Sequence, residues 1–74
     1  MQNYQADLEL SLLHIKQLEQ RIADQQARIE YLRKIGASTE LADQLLRSLQ
    51  ETLGLIKQHV AVLTGPIEPD KAST

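Results

Sequence analysis

Apolar residues recur at seven-residue intervals through the first half of the chain, from about residue 3 to residue 35, a stretch that contains neither glycine nor proline. The two rows of this repeat are Leu8, Ile15, Ile22 and Ile29, and Tyr4, Ser11, Leu18, Gln25 and Leu32. Isoleucine at three of the four positions in one row is typical of a helix that packs lengthwise against another helix. The pattern predicts a first helix over about residues 3–35.

The repeat is interrupted by Gly36 and the three residues after it. Glycine directly after the last apolar residue of a helix favours a left-handed C-terminal cap. Ser38 or Thr39 can then cap the N-terminus of a second helix, because their hydroxyl groups accept hydrogen bonds from unpaired backbone N–H groups. A stop signal and a start signal this close together predict a loop over residues 36–39 between two antiparallel helices.

A wider apolar stripe predicts a second helix over about residues 40–64. Gly54 lies within this stripe and costs about 1 kcal/mol relative to alanine, which indicates local weakness or close packing at that point. A Gly-Pro pair ends the pattern, and residues 66–74 are predicted to form a flexible tail. The chain is therefore expected to contain one hairpin domain, residues 1–65, followed by that tail.

The apolar stripes of the two predicted helices align when the chain folds back at the loop. We therefore predict an all-α fold, an antiparallel coiled-coil-like hairpin in which Ile22 lies opposite Leu53. The predicted core comprises Ile15, Leu18, Ile22, Ile29 and Leu32 of the first helix and Leu45, Leu49, Leu53, Ile56, Val60 and Leu63 of the second. Gln25 interrupts this core, and a single polar residue in such a position can fix the register or the oligomeric state.

Two helices cannot hide the apolar residues at the open end of the hairpin, which lie on nearly all sides of both helices. A core this small rarely supplies more than about 3–5 kcal/mol on its own, and a large exposed apolar surface usually marks an interface. The predicted contact surface is Leu8, Leu10, Leu12, Leu13, Leu55 and Val62. We expect a homo-oligomer, with a dimer favoured, that forms a four-helix bundle. An unidentified protein partner is the alternative occupant of the same surface.

Composition narrows the function classes further. Eight basic residues against ten acidic ones give a net charge of −2, and nucleic acid is not the expected partner because such binding requires a clear basic surplus. The absence of cysteine excludes disulfides and thiolate metal sites. No apolar run of about eighteen residues occurs, so no transmembrane helix is predicted, and the polar, acidic start predicts no signal peptide. The expected location is the cytoplasm.

The two histidines, His14 and His59, are the first candidates for chemistry, because the predicted hairpin brings them to the same level. A zinc site needs more converging ligands than two imidazoles, so we predict no metal site and assign both histidines structural positions beside the core. No phosphate-binding loop, H-E-x-x-H motif or G-x-S-x-G motif is present. The sequence therefore predicts no cofactor and no enzymatic activity.

Two stretches of the chain carry a family resemblance. The first is His14-Ile15-x-x-Leu18-Glu19-x-Arg21-Ile22-Ala23-x-Gln25, and the second is Ile29-x-x-Leu32-x-x-x-Gly36-x-x-Thr39-x-Leu41-Ala42-x-x-Leu45-Leu46. Over about residues 8–63 the chain resembles short helical-hairpin proteins of alphaproteobacteria, including rhizobia, a family with no assigned activity. The resemblance implies a bacterial cytoplasmic hairpin and no catalytic mechanism.

These features favour a non-enzymatic interaction, scaffold or regulatory module that self-associates through a leucine and isoleucine face. Two alternatives stay open. By architecture alone the predicted hairpin is similar to Rop, a plasmid-encoded RNA-binding hairpin that forms a dimeric four-helix bundle, and Arg21 and Arg28 would then contact RNA. The second alternative is an adaptor that binds a different bacterial protein.

Overall fold

The computed structural model describes residues 4–64, which form two α-helices, α1 (Tyr4–Lys34) and α2 (Glu40–Thr64). The helices run antiparallel, because the first turns of α1 contact the last turns of α2 and the second half of α1 contacts the first turn of α2. The all-α hairpin predicted from the sequence is confirmed. The predicted tail, residues 66–74, lies outside the described residues.

The turn after α1 is a Schellman cap built on Gly36, which has a φ of 75°. The Gly36 N–H donates to the carbonyl oxygen of Arg33 at 3.1 Å, and the Ala37 N–H donates to that of Leu32 at 2.9 Å. These bonds satisfy carbonyl groups that the end of a helix would otherwise leave unpaired. The left-handed cap predicted at Gly36 is therefore present, and α1 ends one residue earlier than predicted.

Both hydroxyl residues of the loop take part in starting α2. The Glu40 N–H donates to Ser38 Oγ at 3.3 Å, and the Asp43 N–H donates to the Thr39 carbonyl oxygen at 2.7 Å. The hydroxyl group of Thr39 also donates to Asp43 Oδ2 at 2.9 Å. The start of α2 at Glu40 agrees with the sequence prediction, and the local cause is the pair of caps that the sequence offers.

The core of the hairpin is thin. Within residues 4–64 the buried apolar side chains are Leu18, Ile29 and Leu49. The other predicted core residues that face the partner helix are partly buried, namely Ile15, Ile22, Leu32, Leu53, Ile56, Val60 and Leu63. Leu45 departs from the prediction, since 49% of its surface is exposed. It lies on α2 beside the row that faces α1, where a single hairpin has no third helix to cover it.

Two contacts on opposite sides of the hairpin define its register. Lys57 Nζ lies 3.8 Å from Glu19 Oε2 on one side, and His59 Nε2 lies 3.2 Å from Asp7 Oδ2 on the other. The residue numbers of the two pairs sum to 76 and 66, so residues midway between the two sides pair at a sum of about 71, and Ile22 then lies beside Leu49.

The predicted pairing of Ile22 with Leu53 is therefore displaced by about one helical turn. The rows of a heptad repeat are alike, so a one-turn slip exchanges one apolar row for the other, and the flanking polar pairs decide between the two registers.

Candidate interaction surface

Large apolar side chains remain exposed along much of the hairpin. Within residues 4–64, nine of them have between 49% and 78% of their surface exposed. They are Leu10, Leu12, Leu13, Tyr31, Ile35, Leu41, Leu45, Leu55 and Val62. Exposed leucines scattered singly are ordinary on a protein surface, whereas a continuous patch marks an interaction site. The arrangement of these side chains is therefore informative.

Eight of the nine lie within the two helices, and six of those eight lie on the same side of the hairpin, which we call the leucine flank. Its members are Leu10 and Tyr31 of α1 and Leu41, Leu45, Leu55 and Val62 of α2. Residues three, four or seven apart share one face of a helix. By that spacing, Leu10 follows Asp7 on α1, and Leu55 and Val62 bracket His59 on α2. The leucine flank is thus the side that carries the Asp7–His59 contact.

The turn half of the leucine flank contains two shallow grooves. One is lined by residues that include Arg21, Arg28, Tyr31 and Leu45, and the other by residues that include Arg28, Leu41 and Leu45. These linings confirm that Tyr31 of α1 and the two leucines of α2 face the same side. The charged groups that line these two grooves are the guanidinium groups of the two arginines and the Asp24 carboxylate.

The opposite side of the hairpin is polar. It carries the Glu19–Lys57 ion pair and a groove lined by Gln26, Ala27, Ile29, Glu30, Arg33, Asp43 and Leu46. By helical spacing Leu12 belongs to this side, one heptad before Glu19, and Leu13 points away from α2. The two flanks of the hairpin therefore differ in chemistry, with most of the exposed apolar surface on one of them.

The structure leaves most of the predicted contact residues exposed in a single hairpin. Leu10, Leu12, Leu13, Leu55 and Val62 are all at least half exposed, while Leu8 is partly buried within the seam between the helices. Sequence reasoning missed Tyr31 and Leu41 as surface candidates. A signal for Leu41 was present in the sequence, because it begins a second row on α2 with alternating spacings of four and three residues.

Gln25 crosses the seam and bonds to the other helix. It is 8% exposed, and its Nε2 donates to the carbonyl oxygen of Ala42 at 2.9 Å. Helix geometry pairs that carbonyl with the N–H of Leu46, and a carbonyl oxygen can accept two bonds. No buried side-chain nitrogen or oxygen in the described part of the chain lacks a partner. The structural role predicted for Gln25 thus has a specific contact behind it, one that holds the two helices at a defined level.

The two histidines have different neighbours. His59 pairs with Asp7, and both side chains are about half exposed, whereas His14 lines a separate surface depression with Gln17 and Arg21. His14 and His59 were expected at the same level, but the residue of α1 that contacts His59 is Asp7, one heptad before His14. Residues 4–64 contain no group of three or more histidine and carboxylate side chains that is arranged to hold a metal ion.

Neither helix within residues 4–64 is long and apolar enough to cross a membrane. Comparison of the chain with family models, with curated proteins and with solved structures finds no match. The resemblance to alphaproteobacterial hairpins therefore stays a prediction, and the class of protein that the structure defines is an all-α helical hairpin.

Proposed function

We propose that this hairpin is a non-enzymatic protein–protein interaction module with a scaffold or regulatory role. It self-associates through its leucine flank to form a four-helix bundle. One observation carries the proposal: within residues 4–64 a single hairpin buries three apolar side chains and leaves nine large ones at least about half exposed. A cytoplasmic location in a bacterium completes the proposal and rests on the resemblance to alphaproteobacterial hairpins.

The energetic argument concerns the five aliphatic side chains of the leucine flank. They are on average about two-thirds exposed, and fully burying one such side chain contributes about 1.5–3 kcal/mol. Covering all five therefore makes about 5–10 kcal/mol available per chain. Two protomers together contribute twice that amount, which exceeds or approaches the 4–15 kcal/mol that association costs in lost freedom of motion. A second hairpin is thus a sufficient energetic reason for the face to be covered.

Sedimentation equilibrium of the untagged full chain over a wide concentration range tests the proposal. We expect a mass of two chains, or of a small multiple of two, that falls toward one chain on dilution. A chain that stays monomeric at all concentrations would contradict self-association.

The two alternatives give different results in the same preparation. An RNA-binding hairpin retains RNA in a salt-dependent manner, and this retention is lost when Arg21 and Arg28 are changed to alanine. An adaptor for another protein gives a monomer or a mixture without a defined stoichiometry. Salt-dependent RNA retention would replace the scaffold role and is compatible with a dimer, whereas a monomer or an undefined mixture would contradict self-association through the leucine flank.

A further inference from the structure

A polar contact joins the two helices within the leucine flank, near the open end of the hairpin. His59 Nε2 lies 3.2 Å from Asp7 Oδ2, and each of the two side chains is 48% exposed. On α2, Leu55 lies four residues before His59 and Val62 lies three residues after it, and both are about two-thirds exposed. The contact is therefore placed among apolar side chains that the proposed self-association covers.

The neighbours of His59 on its own helix carry no charge. The positions three and four residues away are all apolar, namely Leu55, Ile56, Val62 and Leu63. The lysine nearest to His59 along α2 is Lys57, which lies on the opposite side of the hairpin, 3.8 Å from Glu19. The second helix thus supplies no group that would balance a charge on the imidazole ring or on the Asp7 carboxylate.

On α1 the Asp7 carboxylate is the charged group in contact with His59. Glu9 follows two residues later, and residues two apart do not share a face of a helix. His14 is seven residues from Asp7, about 10 Å along the helix, and lines a separate depression that includes Arg21. The imidazole ring of His59 and the Asp7 carboxylate therefore balance each other or remain without a counter-charge from the same chain.

Covering the leucine flank changes the surroundings of this pair. In the single hairpin both side chains are about half exposed, so water screens their charges and the contact contributes little. When the flank is covered, a neutral imidazole leaves one uncompensated carboxylate charge per chain, and burying such a charge is costly. A protonated imidazole makes the pair neutral as a whole and donates a charge-assisted hydrogen bond to the carboxylate. The covered state therefore favours the protonated form of His59.

We propose that self-association through the leucine flank takes up a proton at His59, so that pH regulates the assembly. Histidine is the side chain that ordinarily changes its charge between about pH 5 and pH 8. Because the associated state binds more protons than the separated chains, the dissociation constant rises as the pH rises through this range. The assembly is thus tighter in mildly acidic solution and weaker in mildly alkaline solution.

This inference rests on the proposed self-association and names its regulation. It does not depend on how the two hairpins are oriented, since any arrangement that covers both Leu55 and Val62 also covers His59 between them. The pH dependence belongs to association and not to the folding of one hairpin, because the contact is exposed to water until the flank is covered.

Sedimentation equilibrium of the unmodified full chain at several pH values and constant ionic strength tests the proposal. We expect the dissociation constant to rise roughly tenfold from about pH 6 to about pH 8, which corresponds to an average uptake of about half a proton per dimer. Circular dichroism at each pH establishes that the helix content is unchanged. A dissociation constant that stays the same or falls across this range would overturn the proposal.

Three variants identify the groups responsible. His59→Gln can still donate a hydrogen bond to Asp7 but cannot take up a proton, and its dissociation constant is expected to change little with pH. Asp7→Asn is expected to reverse the direction, because a protonated His59 without its carboxylate must lose the proton before it is covered. A general loss of repulsion between two acidic chains would not reverse the direction in Asp7→Asn. His14→Gln is the matched control and is expected to keep the pH dependence of the unmodified chain.

The same measurements separate failure of this inference from failure of the proposed function. A chain that is monomeric at every pH means that the proposed self-association is wrong. A dimer that keeps its pH dependence in His59→Gln, or loses it in His14→Gln, means that self-association holds and that the coupling to His59 is wrong.

Discussion

Changing Leu55 to aspartate places a charge in the leucine flank without touching the core of the hairpin. Leu55 is 67% exposed in the single chain, so covering this exposed part of its side chain in a dimer contributes about 1–2 kcal/mol per protomer. A dimer contains two copies and loses about 2–4 kcal/mol, before any cost of desolvating the carboxylate. At 1.4 kcal/mol for each factor of ten, the dissociation constant rises roughly 30- to 700-fold.

The measurement is the dimer dissociation constant from sedimentation equilibrium, with Leu12→Asp as the matched control. Leu12 belongs to the contact surface predicted from the sequence and is half exposed, but helical spacing places it on the side of the hairpin opposite the leucine flank. Leu12→Asp is expected to keep a dissociation constant close to that of the unmodified chain.

Leu55→Ala is the control for a general loss of folding caused by the new charge, since it removes apolar surface without adding a carboxylate. Its dissociation constant is expected to move in the same direction by a smaller factor. Dissociation by Leu12→Asp together with an unaffected Leu55→Asp dimer would refute the assignment of the interface to the leucine flank.

Three further predictions concern the hairpin itself. Gly36→Ala lowers the free energy of unfolding in urea by about 1–2 kcal/mol, because the φ of 75° is unfavourable for a side chain although a Cβ there meets nothing within 4 Å. Gly54→Ala raises it by about 0.5–1 kcal/mol through helix propensity, since a Cβ at that position also has open space; a loss of stability would instead show that Gly54 is closely packed. Gln25→Leu raises the melting temperature but gives a mixture of masses in sedimentation, because the bond to Ala42 that holds the register is lost. A single unchanged mass would show that Gln25 does not set the register.

The ends of the helices were predictable from the sequence because their causes are local. Gly36 supplies the left-handed residue that the cap requires, and Ser38 and Thr39 supply the hydroxyl groups that start α2. Each signal acts within a few residues of the bond it makes, so no knowledge of the rest of the fold is needed. The same reasoning applies to the period of the apolar rows, which is sufficient to predict two packed helices.

The register and the position of Leu45 were not predictable in the same way, because they depend on a choice between similar alternatives. Leu45 and Leu46 are adjacent, and only one of them can face α1; the structure places Leu46 toward the core and leaves Leu45 exposed. The choice follows from the register, which depends on contacts between residues far apart in sequence, such as Asp7 with His59. A shift of one turn places one apolar row where the other was, and the two rows are alike. The repeat alone therefore does not select between these registers.

Two polar residues between the helices explain why the core is thin and bear on the proposed assembly. Ser11 and Gln25 are both buried, and each occupies a position where leucine or isoleucine would contribute more apolar burial. The hairpin therefore forgoes stability within one chain while its second helix keeps four large aliphatic side chains on the outside. Anything that binds the folded state alone stabilises it by mass action, so in the proposed assembly a second copy would add the apolar burial that the single hairpin lacks. Folding and self-association are then coupled, and the concentration of the chain governs how much of the proposed interaction module is present in its folded form.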